Sequence, residues 1–405
     1  MSKIAGFTTR LMAGVLALAA AQHWTAPARA ADPGVSDSEI VIGMFAPLSG
    51  PLVAYGVDPL QASRMQYEAI NKAGGINGRK IRLVIEDDKC LPNDLVSVVK
   101  KLVTVDNVFL LHGGSCTAAI SAAADYINRE KVPYAMLNAA GDNAVFPPTR
   151  YIFGSFQGTQ RTYAAAFATF AAQALKAKRA AVIVHDDEYG KANAAMAQAV
   201  FKKLGVEVVD VERIPPNISD VTAPMLKIRA ANPDVILSGA YPAPAVLIAQ
   251  KYGEFAMTAI PLLQSAQGIP TPAVFARNVA NPAALENFYY TWAFNDISDA
   301  AVKTKYTDMF KASTNGREPG PFMMSGVPSA YAVIAALQAA GRNLTREGFV
   351  DALEKLNIQP DFSPGPIAFG PHRRDAARTV VIIKYDGKTQ QAMPGAYTWD
   401  GTAAN

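Results

Sequence analysis

The run Leu110-Leu111-His112-Gly113-Gly114-Ser115-Cys116-Thr117 leaves an apolar stretch, passes two glycines, and sets a hydroxyl, a thiol and a second hydroxyl side by side. Three chemistries suit such a corner: a nucleophile turn, a metal-binding bend, or a cradle for something negatively charged. A nucleophilic thiol needs a neighbouring base, and His112 stands four positions before Cys116. Cys90 competes for the same sulfur. In an exported chain an even pair of cysteines is more often a bridge than two thiols, and a separation of 26 residues gives such a bridge roughly 3 kcal/mol of chain-entropy benefit.

Little else resembles catalytic machinery. The chain has no Gly-x-Ser-x-Gly elbow, no His-Glu-x-x-His, no Gly-x-Gly-x-x-Gly and no Walker loop. Gly74-Gly75-Ile76-Asn77-Gly78-Arg79-Lys80 leads into a strand, whereas a phosphate loop must lead into a helix whose amides face the ligand, so it reads as a turn. Besides His112, only His185 and His372 remain as bases or nitrogen ligands once the amino-terminal segment holding His23 is set aside. The acidic clusters Glu86-Asp87-Asp88 and Asp186-Asp187-Glu188 lack the glycine-punctuated spacing of a calcium loop and read as solvated loop carboxylates. No catalytic residue, metal or cofactor is expected.

The opening run ends an apolar strand and begins a helix near Thr117. Gly114, Ser115 and Thr117 therefore expose amides and hydroxyls at the positive end of a helix dipole, where an anion binds. Plain N-capping by Ser115 or Thr117, with no ligand, uses the same groups. Aromatic residues recur at comparable places: Tyr55 follows the first strand, Tyr189 the strand Ala180–Val184, and Tyr241 the strand Val235–Leu237. A lone tyrosine is ordinary half-buried surface, but three at equivalent strand ends are better explained as walls of one cleft.

The elements that must position these residues follow from periodicity. Strands are expected over Ile40–Phe45, Ile81–Ile85, Val108–Leu111 and Tyr134–Leu137, alternating with helices over Pro59–Asn71, Asp94–Thr104 and Thr117–Asn128. In the second helix Leu95, Val98, Val99 and Leu102 share one face, with Asn93 and Asp94 as start signals. A second series starts after Tyr151-Ile152-Phe153-Gly154. It has helices over Arg161–Leu175, Lys191–Leu204, Val221–Ala230 and Ala245–Tyr252, and strands over Ala180–Val184, Val206–Val211, Val235–Leu237 and Pro261–Leu263. An aromatic strand Phe288–Trp292, helices over Val302–Ala312 and Ser329–Ala340, and a strand Val380–Tyr385 complete the chain.

This alternation predicts an α/β protein of two similar, doubly wound parallel-sheet lobes. Residues 36–155 with 293–365 form the first lobe, and 156–292 with 366–405 the second. Three hinge crossings are expected near Gly154, Tyr290 and Pro364.

At 405 residues, half of them hydrophobic, the chain can fill two cores. Lys3 and Arg10 before the apolar stretch Leu11–Ala21, and small residues at Ala28-Arg29-Ala30, read as a signal peptide over residues 1–30, cleaved after Ala30. Removing Lys3, Arg10 and Arg29 leaves 35 basic against 34 acidic residues, a balance that argues against nucleic acid. No later uncharged apolar run is expected to span a bilayer, so the mature chain is read as a monomer in the periplasm without membrane insertion.

Ile42-Gly43-Met44-Phe45-Ala46-Pro47-Leu48-Ser49-Gly50-Pro51 with Tyr55-Gly56, then Gly74–Ile81 and Glu86-Asp87-Asp88-Lys89-Cys90, resemble the type I periplasmic binding proteins of the leucine/isoleucine/valine-binding family. Asp186–Gly190 and Gly320-Pro321-Phe322 extend the likeness over the mature chain. The resemblance implies a solute receptor of an ABC importer, which hands a small molecule to a membrane permease. It implies a Cys90–Cys116 disulfide beside the site. Thr117 falls where the family holds a ligand carboxylate, and Asn138, Ala139 and Ala140 where backbone and a threonine hold carboxylate and ammonium. Tyr55, Tyr189 and Tyr241 match cleft aromatics. Two positions depart: Ala140 lacks the expected hydroxyl, and Leu263-Gln264-Ser265-Ala266-Gln267 lacks the acid that pairs with an α-ammonium. A carboxylate, aromatic in character, or a neutral amide is expected in place of an ordinary α-amino acid, unless Asp142, Glu188 or Asp296 supplies the charge. The alternatives are a true branched-chain amino acid receptor, an amide-sensing regulator of the same fold, and a secreted thiol hydrolase using Cys116 and His112.

Overall fold

The computed structural model describes residues 32–401 apart from 140, 155 and 270 and the side chain of 144. The expected signal segment and the candidate Ala140 lie outside the described residues.

The first winding runs β1 (Glu39–Ala46), α1 (Val57–Lys72), β2 (Lys80–Asp87), α2 (Pro92–Thr104), β3 (Leu110–Gly113), α3 (Thr117–Arg129), β4 (Tyr134–Met136) and β5 (Ile152–Phe153). Its strands pair in the order β2-β1-β3-β4-β5, and every pair is parallel. Helices cover both faces, which is why β1 is buried from Ile40 to Ala46 and reads as a continuous apolar run. The four residues of α2 that share a face, Leu95, Val98, Val99 and Leu102, are its buried ones. The helix starts two residues earlier than the Asp94 signal suggests, at Pro92. Proline needs no amide hydrogen bond in the first turn, so Leu91, not Asn93, stands at the cap.

The second winding comprises α4 (Gln160–Gln173), β6 (Arg179–His185), α5 (Glu188–Lys203), β7 (Glu207–Ile214), α6 (Thr222–Ala230), β8 (Val235–Gly239), α7 (Pro242–Glu254), β9 (Leu262–Gln264), α8 (Pro272–Val279) and β10 (Phe288–Trp292). Its order β7-β6-β8-β9-β10 repeats that of the first sheet, again with parallel pairs.

Then come α9 (Ala300–Ser313), α10 (Val327–Ala340), α11 (Arg346–Glu354), the short pair β11 (Asn357–Ile358) and β12 (Ile367–Ala368), and finally β13 (Thr379–Tyr385), β14 (Gln390–Ala392) and the short β15 (Tyr397–Thr398). Strands β13 and β14 extend the second sheet antiparallel, so that sheet is mixed at this edge. The short helices α8 and α11 escape the periodicity reading.

Two further expectations change. Ile367 and Phe369 pack into the first core, and Gly154 exchanges backbone hydrogen bonds with Arg374 and Ala376 at 2.9 Å each. The third passage of the chain therefore lies about Arg374–Arg378, beyond Pro364. The uncharged stretch Met323–Ala340 has the length and hydropathy of a membrane span, contrary to the sequence reading, but it is mostly buried, with α10 packed on α1 and α11.

Candidate functional site

Both sheets change winding direction at the same kind of place, between β1 and β3 in the first and between β6 and β8 in the second. Ligands in open α/β sheets gather outside the carboxyl ends of strands at such points. The loops leaving these four strands carry Tyr55, Ser115–Thr117, Asp187–Tyr189 and Tyr241, and all of them face one cavity of about 910 Å³.

On the first wall, the two glycines of the opening run have separate reasons. A Cβ on Gly113 would stand 2.2 Å from the Phe45 carbonyl oxygen, and Gly114 holds a φ of +80°. This bend delivers Cys116 to the N-cap of α3, and no side chain caps that helix. The capping alternative is thereby answered. Ser115 turns its hydroxyl to the Tyr55 carbonyl at 2.9 Å, and the Thr117 hydroxyl accepts from the Gly141 amide at 3.2 Å, which leaves its own proton free. Asn138 donates to the Tyr55 carbonyl at 3.0 Å and to the Ser325 hydroxyl at 3.1 Å. Tyr55 stacks on Phe322 with ring centres 4.4 Å apart.

The second wall is built on α5 and α7. Asp187 caps α5 by accepting from the Gly190 amide at 2.8 Å, and its other oxygen accepts from the Tyr241 hydroxyl at 3.1 Å. Tyr189 and Tyr241 lie 5.3 Å apart, and the Tyr189 hydroxyl is 3.3 Å from that of Ser265. Burial raises the phenol pKa of Tyr55, Tyr189 and Tyr241, so all three remain neutral donors.

Two candidates do not reach the cavity. Gln264 is buried beneath the second wall, donating to the Ala240 carbonyl at 2.9 Å, because a strand-end amide there must satisfy the turn that follows. Gln267, one helical turn on, lines the cavity instead. Ala139 is packed in the first core. Phe322, Trp292 and Arg161 line the cavity without having been singled out as contacts, beside Asp142, which was named only as a possible source of charge. Phe322 was legible only as part of a Gly-Pro-Phe motif, and Arg161 carried no signal beyond its place near a helix start.

The three acids that could replace the missing ammonium partner are engaged elsewhere. Asp142 lies 2.5 Å from Arg161 Nε, and burial pushes its carboxyl up to about 6 despite that guanidinium. Asp296 accepts from Trp292 Nε1 at 2.7 Å. Glu188 lies at the cavity mouth, largely exposed and 3.5 Å from Lys191 Nζ.

Cys90 and Cys116 are joined in a disulfide. His112 is fully buried 2.8 Å from the Tyr67 hydroxyl and 2.9 Å from that of Ser329, and burial lowers its pKa to about 3. The thiol hydrolase reading is overturned, since its nucleophile is bridged and its base is packed among other partners. His372 is exposed outside the cavity wall, and no group of His, Cys, Asp and Glu that could hold a metal occurs among the described residues.

The sequence profile of the periplasmic binding protein family matches residues 39–391. An amino acid binding protein of Pseudomonas aeruginosa is 28% identical over 317 residues, covering 76% of this chain and 80% of its own length. Leu/Ile/Val-binding protein homolog 3 of Brucella melitensis is 26% identical over 305 residues, covering 75% and 80%. A solved solute binding protein of an ABC transporter from R. palustris, in complex with 4-hydroxybenzoate, has a TM-score of 0.71 at 19% identity and covers 89% of this chain and 97% of its own; that likeness shows the shared fold. Matched along most of its length, and built from two sheets wound alike around one cavity, this chain belongs to the type I periplasmic binding proteins of the Leu/Ile/Val-binding family.

Proposed function

We propose that this protein is the periplasmic receptor of an ABC importer and that its solute is a small carboxylate with an apolar, aromatic body. The carboxylate sits at the start of α3, held by uncapped amides and the free proton of Thr117. Tyr55 and Phe322 cover the body from one side, and Tyr189 and Tyr241 from the other. The two lobes swing together about the crossings near Gly154, Tyr290 and Arg374–Arg378, because only the closed form contacts the solute from both sides. The site binds and releases without transforming its solute. The processed protein meets a permease as a monomer in the periplasm.

The single observation that carries the choice of solute is Gln264. It is turned away into backbone hydrogen bonds, and the acids of the wall are taken up otherwise: Asp142 lies against Arg161, and Asp187 accepts from the Gly190 amide and the Tyr241 hydroxyl. A buried ammonium without a counter-charge is strongly unfavourable. The relatives named for amino acids keep a branched-chain receptor as the second reading, with Asp142 as the one buried acid in the wall that favours it.

Thermal-shift and calorimetric titration with benzoate, phenylacetate, 4-methylpentanoate and leucine decide between them. Ligand at 100 times its dissociation constant adds about 2.7 kcal/mol, so a true solute shifts the melting transition plainly. Acids are expected to stabilise the protein and leucine is not. Stabilisation by leucine with none by the acids refutes the proposal.

A further inference from the structure

The unpartnered buried polar atoms on the cavity wall share one character. Among the described residues they are Oδ1 of Asn138, both carboxylate oxygens of Asp142, and Oε1 of Gln267. All are acceptors. Asn138 has no freedom to reverse its amide, because its NH2 group is committed to the Tyr55 carbonyl and the Ser325 hydroxyl, so its oxygen must be the atom left open. Asp142 is neutralised by Arg161 at 2.5 Å and approached by the Thr159 side chain, neither in full hydrogen-bond alignment, so its carboxylate keeps accepting capacity toward the cavity. The Asp142 amide donates to Gln160 Oε1 at 3.1 Å, which holds the residue against the base of α4. Its neighbour Gly141 is the residue bound to Thr117, so Asp142 and the anion corner belong to one wall, while Gln267 lines the cavity from the second winding.

A cavity that pairs a donor corner with an acceptor patch is complementary to a solute carrying both kinds of group. Native proteins leave few buried acceptors unmade, and a group whose partner arrives with the ligand is one physical reason to do so. The geometry points to a recognition site for a neutral O–H or N–H donor on the solute, formed by Asp142 and Asn138 with Gln267. The preferred compounds are then hydroxy- or amino-substituted carboxylates, not plain acids. This inference rests on the carboxylate reading of the same cavity. Arg161 makes the donor a neutral one: with its guanidinium against Asp142, the site needs no incoming cation. Arg161 also stacks over Phe146 at 5.1 Å, which helps to fix the guanidinium beside the carboxylate.

The test is isothermal titration of the full mature chain with matched pairs: benzoate against 3- and 4-hydroxybenzoate and 4-aminobenzoate, and phenylacetate against mandelate. In at least one pair the substituted acid is expected to bind at least about tenfold more tightly than its parent, as follows from a site that rejects analogues lacking a hydrogen-bonding group. In Asp142→Ala that ratio falls to within about twofold, whatever change the parent acid itself shows. Asp142→Asn retains one acceptor oxygen and similar volume, and is expected to keep part of the preference; it serves if the alanine variant does not fold. Parents that bind as tightly as their substituted partners overturn the inference and leave the carboxylate reading standing. A preference that survives both Asp142 variants overturns it as well. Failure of every acid to bind removes the carboxylate reading and this inference with it.

Discussion

The backbone amide of Tyr241 donates to Nε2 of His185 at 2.7 Å, and the two rings stack with centres 4.2 Å apart. The acceptor role of Nε2 places the imidazole proton on Nδ1, and burial lowers the His185 pKa, so the ring stays neutral as this bond requires. His185 is thus the footing on which Tyr241 stands at the N-cap of α7. His185→Ala is expected to cost about 2 kcal/mol of stability through the lost acceptor and the void, and to weaken solute binding roughly tenfold as Tyr241 loses its orientation. Chemical denaturation and calorimetric titration read the two effects separately. Unchanged affinity in a folded variant would show that Tyr241 holds its place without the imidazole.

Asp142 and His112 respond to pH with opposite signs. The folded-state pKa of Asp142, about 6, lies above the unfolded value, so the folded chain holds this proton more tightly. Stability from this group therefore declines as pH rises from about 4 to about 6, by about 3 kcal/mol in all, and stays reduced above that. His112, lowered to about 3, contributes stability that is complete above its unfolded value of about 6.5 and drains away as pH falls toward 3. Asp142→Asn should consequently match wild type near pH 4 and gain about 2 to 3 kcal/mol on it by pH 7. Urea denaturation at the two pH values measures the difference, and a constant gap between the proteins would contradict the assignment.

Gly190 has no room for a side chain. A Cβ there would meet the His185 carbonyl oxygen at 1.9 Å, so α5 leaves β6 only if this residue is glycine. Gly190→Ala must push the first turn of α5 outward, together with Tyr189. The expected cost is about 1 to 3 kcal/mol of stability and a loss of affinity for any solute enclosed by Tyr189, read by a melting scan and by titration. A fully stable variant with wild-type affinity would disprove the close approach.

The Cys90–Cys116 bridge predicts no titratable thiol in the denatured, unreduced chain and two after reduction. Replacing both with serine removes a constraint worth roughly 3 kcal/mol for a loop of this length. Because Cys116 is the N-cap residue of α3, the substituted protein should also bind its carboxylate solute less tightly. Two free sulfhydryls in the native, unreduced protein would revive a reactive-thiol role.

Local chemistry alone determined the two windings and most of the strand-end residues. The buried stripe of α2, the alternation of apolar runs with amphipathic helices, and the aromatic residues following β1, β6 and β8 depend on spacing along the chain, and helical and strand periods are local properties. Tyr55, Ser115, Thr117, Tyr189 and Tyr241, read from their places at strand ends, line the cavity, as does Asn138, which only the family resemblance marked. Other features depend on segments far apart in sequence. Phe322 meets Tyr55 across more than two hundred residues, and the last passage between lobes is set by Gly154 pairing with Arg374 and Ala376. Gln264 shows the limit most directly: its type and position suit a contact residue, yet the turn at Ala240 claims its amide. Which of several possible partners a polar side chain takes is a competition among groups brought together by packing, and only the folded chain assembles the competitors.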